Sequence, residues 1–283
     1  MRVAFQGEPG AYSEAAAMKL RAGAVGIPCA SFELVFDAVK RGDAGCGILP
    51  IENSVTGSIH RHYDLLLEHD LPIIGEVELK VDHALLALPG VTLPEIRRIY
   101  SHPQALAQCE RFLHGLAGVE VIASYDTAGS AKMILEGHLR DAGAIASRRA
   151  AELCHLAVLR AGLQDYETNI TRFLLLARSA TPIGPPDKTT IVFTLRDQPG
   201  ALYKALSVLA LRDIDLAKLE SRPIPGRPWE YLFYADLNAD RTDLRCARAL
   251  VHLAEFAASL TTLGSYPRWR EEGQGASTGV AAV

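Results

Sequence analysis

Over the first 180 residues, short apolar runs alternate with longer stretches of helical spacing. "RVAF" (2–5) is followed by "YSEAAAMKLRAG", and "AGCGILPI" (44–51) by "GSIHRHYDLLLEHD". "LPIIGEVEL" and "HALLAL" read as extended segments. "IRRIYSH" leads into the helical "PQALAQCERFLHGL", "VEVIASYD" into "AGSAKMILEG", and "AGAIAS" into "RRAAELCHL". Strands interleaved with helices predict an α/β domain with a largely parallel sheet. "SATPIGPPDK" (179–188), with three prolines and little to bury, reads as a linker.

After it the pattern changes. "TTIVFTL" predicts a strand, "GALYKALSVLALRD" an amphipathic helix, "DLAKLESRPI" a strand, "PGRPW" a turn and "EYLFYADLNA" a strand. "DLRCARALVHLAEFAASLTTLG" predicts one long helix and "SYPRW" a last short extended piece. The order β-α-β-β-α-β is ferredoxin-like. The tail "EEGQGASTGVAAV" has almost no bulky apolar group and is expected to be disordered.

Composition narrows the class. The 283 residues are 49% hydrophobic and 22% charged, within the globular range and enough for a sizeable core. A net charge of −4 gives no general attraction to nucleic acid or an anionic membrane, and neither is expected as a partner. Five cysteines, odd in number and widely spaced, favour reduced thiols over a disulfide frame or zinc site. With a start that breaks early into glycine and proline, this predicts a cytoplasmic location.

Four polar clusters in the first region are candidates for chemistry. "FQGEPGAYSEAA" (5–16) places Gly7 and Gly10 between a strand and a helix, with Ser13 as the expected N-cap. "PIENSVTGSIHRHYD" (50–64) crowds Glu52, Asn53, Ser54, Thr56 and Ser58 around Gly57 before a helix near Ile59. Neutral donors ahead of a helix N-terminus suit a carboxylate, and helix capping alone explains them as well. "SHPQALAQC" (101–109) sets Ser101 at a helix entrance and Gln108 two turns on, either lining one groove or serving as cap and surface residue. "NITRFLLLAR" (169–178) puts Asn169, Thr171 and Arg172 at the start of a buried strand. The "HRH" at 60–62 fits a helix face better than a metal site, and no cofactor or metal motif is present.

In this order the clusters resemble the monofunctional prephenate dehydratases that carry a regulatory ACT domain. "NITRF" resembles the threonine-arginine-phenylalanine signature; "FQGEPGAYSEAA", "PIENSVTGSI" and "SHPQALAQC" resemble the other catalytic landmarks. "PGAL" (199–202) and "ESRP" (220–223) resemble the paired phenylalanine-binding motifs. The resemblance implies a two-lobed catalytic region, residues 1–179, like a periplasmic-binding protein. Lobe 1 would hold residues 1–77 and 169–179, and lobe 2 residues 78–168. Residues 180–188 would link it to an ACT domain at 189–270, with 271–283 as the tail.

The implied reaction is decarboxylating dehydration of prephenate to phenylpyruvate, without cofactor or metal. Thr171 would donate to the leaving hydroxyl, with Glu52 a candidate in a proton relay. Asn53, Ser101 and Gln108 would orient substrate, and Thr56, Gly57 and Ser58 would hold a carboxylate. Phe173 completes the signature, and Arg172 is expected to brace the strand and loops. L-Phenylalanine would act as effector through Gly200, Ala201 and Leu202 with Glu220, Ser221, Arg222 and Pro223, in a homodimer or homotetramer. Two alternatives are an arogenate dehydratase, whose substrate carries an amino group in place of the keto oxygen, and a non-catalytic phenylalanine sensor.

Overall fold

The computed structural model describes residues 1–271 apart from 22, 225 and 228. Of the tail expected to be disordered, 272–283 lie outside the described residues. The chain forms two compact units, Met1–Pro72 with Val77–Ala180, and Ile73–Glu76 with the residues from Thr181 on.

Up to Ala180 the described order is β1 (Arg2–Gln6), α1 (Tyr12–Leu20), β2 (Val25–Cys29), α2 (Phe32–Arg41), β3 (Cys46–Asn53), β4 (Gly57–Ser58), α3 (His60–His69) and β5 (Ile73–Lys80). It continues through β6 (Ala84–Ala87), β7 (Arg98–Ser101), α4 (Pro103–Gln108), α5 (Glu110–His114), β8 (Glu120–Ala123), α6 (Thr127–Glu136), β9 (Ala142–Ala146), α7 (Arg148–Leu153), β10 (Ala157–Ala161) and β11 (Ile170–Ala177).

Two sheets make the two lobes. One runs β2-β1-β3-β11-β5, with β4 hairpinned onto β3; the other runs β10-β6-β9-β7-β8. The chain leaves the first sheet after β5 and returns to it as β11. The alternation predicts a largely parallel sheet, and both sheets are instead mixed. β11 lies antiparallel on β3, and β6 lies antiparallel to both β9 and β10. A strand that re-enters after a long excursion is free to run either way, so alternation of elements does not fix direction.

Local chemistry explains the elements that position the cleft. The apolar spacing of α2 buries Val35, Phe36, Ala38 and Val39 on one face. Ser31 caps its first turn, accepting from the Leu34 N–H, and Gly42 ends it in the left-handed region at φ 85°. The strands β6 and β9 are buried at every position, as befits strands covered on both faces. In β11 the run after Arg172 is buried throughout, so Phe173 and its apolar successors anchor the strand. The helix expected over 103–116 is broken at Cys109, whose φ of −117° ends α4 and opens α5.

The second unit has β12 (Lys188–Leu195), α8 (Ala201–Ala210), β13 (Leu216–Pro223), β14 (Tyr231–Leu237), α9 (Leu244–Phe256) and β15 (Ala257–Tyr266). The antiparallel sheet β13-β14-β12-β15 is ferredoxin-like, with β13 at an edge. Ile191, Phe193, Ala235 and Leu237 pack against Ala205, Leu209, Ala249 and Leu253 of the helices. The expected long helix stops at Phe256. From Ala257 the chain pairs with β12 along its whole length, where Ser259, Thr261 and Thr262 suit a half-buried sheet better than a helix. Lys188 already belongs to β12, so the linker is one residue shorter than its composition suggests.

Candidate active site between the lobes

A cavity of about 350 Å³ is lined by residues of both lobes. The first lobe contributes Gln6, Tyr12, Ser13, Phe32, Asn53, His62, Thr171 and Phe173; the second contributes His83, His102, Gln104, Gln108, Asp126 and Thr127.

The β1–α1 loop reaches across to the second lobe. Gly7 and Gly10 take φ of 113° and 97°, conformations open to glycine at little cost. A Cβ on Gly10 would sit 2.8 Å from the Ala150 Cα. The Ser147 hydroxyl donates to the Gly10 carbonyl at 2.7 Å, and Arg149 pairs with Glu14 at 3.0 Å. Ser13, expected as N-cap, is instead inside the first turn of α1; the cap position belongs to Ala11. The Ser13 side chain is thereby turned to the cavity wall.

Thr171 pairs with Asn53 across the β3–β11 ladder. The Asn53 amide Nδ2 donates to Thr171 Oγ1 at 2.9 Å and to Asn169 Oδ1 at 2.6 Å. Its Oδ1 accepts from the backbone N–H of Val55 and Thr56, an Asx turn that folds "ENSVTGS" into a tight hairpin. The Asn169 Nδ2 donates to Gln108 Oε1 at 2.9 Å, which also meets His83 Nε2 at 2.9 Å. The Tyr12 hydroxyl lies 2.9 Å from His83 Nδ1 and donates to the Asp82 carbonyl at 2.8 Å. A continuous polar line thus runs from Thr171 through the first lobe into the second.

Burial sets its protonation. His83 and His62 are held below the ordinary histidine range by burial, although hydrogen bonds to Gln108 and the Pro50 carbonyl oppose the shift. Burial, with Asp82 nearby, pushes the Tyr12 hydroxyl well above its usual range. The Cys109 thiol is pushed up to about 12 by burial and is no nucleophile at neutral pH.

Of the residues singled out in sequence, Asn53, Gln108, Thr171 and Phe173 stand on the cavity wall. Glu52, Thr56, Gly57, Ser58, Ser101 and Arg172 lie outside that lining. Ser101 is wholly buried, and its hydroxyl is engaged by the Ile145 carbonyl. Arg172 pairs with Glu52 at 3.4 Å, so each occupies the other behind the wall. Thr56 is tied by Gln104 across the lobes at 2.8 Å and by Asn53 at 3.3 Å. Gly57 and Ser58 form the hairpin strand β4.

Sequence reasoning missed Tyr12, His83, Asp126 and Thr127. The last two had a readable signal, since "DTAGSAK" places a capping aspartate before a helix, and Asp126 does cap α6 by accepting from Gly129. In the second unit, Gly200, Ala201 and Leu202 line a surface cavity of about 760 Å³ together with Trp229 and Tyr231. Glu220, Ser221, Arg222 and Pro223 lie on the edge strand β13 and do not line it. Gly200 has φ 76° and caps α8.

Comparison with known proteins places the chain. The family model described as "Prephenate dehydratase" matches residues 3–181. "Arogenate dehydratase/prephenate dehydratase 2, chloroplastic" of Arabidopsis thaliana is 50% identical, covering 94% of this chain and 73% of the relative. A solved prephenate dehydratase in complex with L-Phe from Arthrobacter aurescens is 35% identical with a TM-score of 0.85, covering 95% and 90% of the two chains. A solved structure titled "GqqA- a novel type of quorum quenching acylases" is 38% identical with a TM-score of 0.86, covering 95% and 98%. The cytoplasmic expectation is corrected by these findings, because the similar plant relatives are named chloroplastic. Reduced thiols report the redox state of a compartment, not which compartment it is. The chain belongs to the prephenate dehydratase family and is a carbon–oxygen lyase.

Proposed function

We propose that the cleft carries out the decarboxylating dehydration of arogenate, and of prephenate, to an aromatic product. The curated relatives named for arogenate favour the amino substrate. The observation that carries the reading is the line Gln108–Asn169–Asn53–Thr171 at the cavity wall. In the reaction the ring carboxylate leaves as CO₂ and its bonding pair enters the ring. The C–O bond opposite breaks, and the departing hydroxide takes up a proton to become water. Asn53 donates to Thr171 Oγ1, which leaves the threonine proton free to point at the leaving oxygen. A hydrogen bond that strengthens as charge grows there lowers the barrier selectively. Asn53 Nδ2 is a donor, so it cannot take the proton that a nucleophilic threonine would lose. Gln108 orients the substrate and Phe173 packs against it. Glu52, Arg172 and Ser101 brace the strands behind it, and the Thr56–Ser58 hairpin closes the cleft edge through Gln104.

The second unit we read as an ACT domain that senses L-phenylalanine, in a homodimer at least. Gly200–Leu202 offer backbone to an amino acid, and the motif at 220–223 on an edge strand would be supplied by a second copy. An effector that favours one lobe arrangement needs a coupling of only about 1–3 kcal/mol for strong feedback.

The test is purified protein given arogenate and prephenate separately, with phenylalanine and phenylpyruvate measured; turnover of neither refutes the reading. For regulation, Gly200→Val should abolish phenylalanine binding by calorimetry. Its side chain projects into open space, and a β-branched residue is strained at φ 76°. Retained sensitivity would move the effector site elsewhere.

A further inference from the structure

We propose that Asp126 selects arogenate over prephenate by taking the substrate's ammonium group on its Oδ1; the assignment rests on the dehydratase reading above.

The two substrates differ at one point. Arogenate carries an ammonium beside its side-chain carboxylate, whereas prephenate carries a keto oxygen and keeps both carboxylates uncompensated. Among the described residues lining the cavity, Asp126 supplies the carboxylate and no lysine or arginine appears. A cleft without a fixed cation and with one fixed anion favours the less negative substrate.

Geometry leaves Asp126 an available oxygen. Oδ2 accepts from the Gly129 N–H at 3.0 Å and from the Glu8 N–H at 3.3 Å, and Oδ1 accepts from neither. Lys132, nearly two turns along α6, is paired with Glu8 at 3.1 Å and so does not neutralise Asp126 directly. Ser13 and Thr127, each more than nine-tenths buried, line the cavity with it and offer hydroxyls to the neighbouring carboxylate.

The placement also suits the chemistry. The side chain and the departing hydroxyl sit at opposite ends of the substrate ring. The hydrogen-bonded set around Thr171 is Asn53, Asn169 and Gln108, and that around Asp126 is Glu8 and Gly129; they share no member. An ammonium on Oδ1 makes a charge-assisted hydrogen bond. A keto oxygen in its place faces a carboxylate with no proton between them, and a site built for a donor rejects the analogue that lacks it.

The experiment is the ratio of kcat/KM for arogenate to that for prephenate, in wild type and Asp126→Asn. Asparagine keeps a capping oxygen for both N–H groups, and its own N–H can donate to the keto oxygen. The wild type should favour arogenate, and Asp126→Asn should lower the ratio by about tenfold to a hundredfold. Thermal melting is followed alongside, with Asp126→Ser as a second capping variant should Asp126→Asn melt early. A wild type that favours prephenate, a ratio moved by less than about threefold, or an equal fall for both substrates overturns the assignment and leaves the dehydratase reading standing. A wild type that turns over neither substrate defeats that reading, and the assignment with it.

Discussion

Replacing Asn53 by aspartate changes one group from a donor to an acceptor and should cost activity out of proportion to its size. Asn53 is 4% exposed, so water cannot stand in for what is lost. Its Oδ1, holding the Val55 and Thr56 N–H groups, is retained in the variant. The Nδ2 donations to Thr171 at 2.9 Å and Asn169 at 2.6 Å become oxygen facing oxygen. Thr171 can relieve its clash by turning its own proton toward the new carboxylate, which removes that proton from the cleft. Asn169 can relieve its clash by flipping, but then its amide no longer donates to Gln108. Loss of one aligned donor to a developing oxyanion lowers kcat by about a hundred- to a thousandfold. The buried, poorly matched group costs about 1–3 kcal/mol of stability. Burial among acceptors also raises the new carboxyl's pKa, and once protonated it donates again. The variant should therefore recover activity as pH falls, whereas Asn53→Ala should not. The assay is kcat against pH for wild type and both variants, with melting curves. Wild-type turnover by Asn53→Asp at neutral pH would refute the donor role assigned to this amide.

Thr171→Ala should fold and lose about 3–4 kcal/mol of transition-state stabilisation, while Thr171→Ser keeps substantial turnover; steady-state rates check both. Gly10→Ala meets both a φ of 97° and the Ala150 backbone, so it should raise KM and lower the melting temperature by forcing the lobes apart. His62 and His83 are buried with lowered pKa values, so the unfolded chain binds protons that the folded one resists. Their stability cost is absent above pH 6.5 and grows as pH falls from there toward the folded pKa values. Each contributes a slope of at most about 1.4 kcal/mol per pH unit, and His83→Asn should remove its share from a melting series between pH 8 and 5.

The order of elements was legible wherever apolar period and punctuation agreed, as in β3 followed by α3 or in "NITRF" entering β11. Legibility failed where pairing decided the outcome. Residues 257–264 carry helix-compatible apolar spacing, yet β12 offers a full ladder of partners and takes them as strand. The polar clusters fall on segments that meet at the cavity, yet only some of their side chains reach its wall. Ser101 looked like a cleft residue because a hydroxyl at a helix entrance is a generic signal; the Ile145 carbonyl, 44 residues away, takes it. Tyr12 and His83 gave no signal, because what joins them is the meeting of two loops 71 residues apart. Thr171 and Asn53 were each legible, and their shared hydrogen bond was not.

The return of β11 to the first sheet has a consequence for how the chain assembles during synthesis. The second sheet draws only on 84–161, a contiguous stretch that can close as soon as β10 is made. The first sheet starts earlier, yet β3 must wait for a partner whose Thr171 lies 118 residues after Asn53. Until then Ile48, Leu49 and Ile51, fully buried in the finished protein, belong to an unpaired strand edge. Pairings so distant in sequence form slowly, because the loop between them must be ordered before any contact rewards it. The lobe encoded in the middle is thus positioned to fold first. Of the two sheets the first closes second, when β11 supplies the Asn53–Thr171 bond.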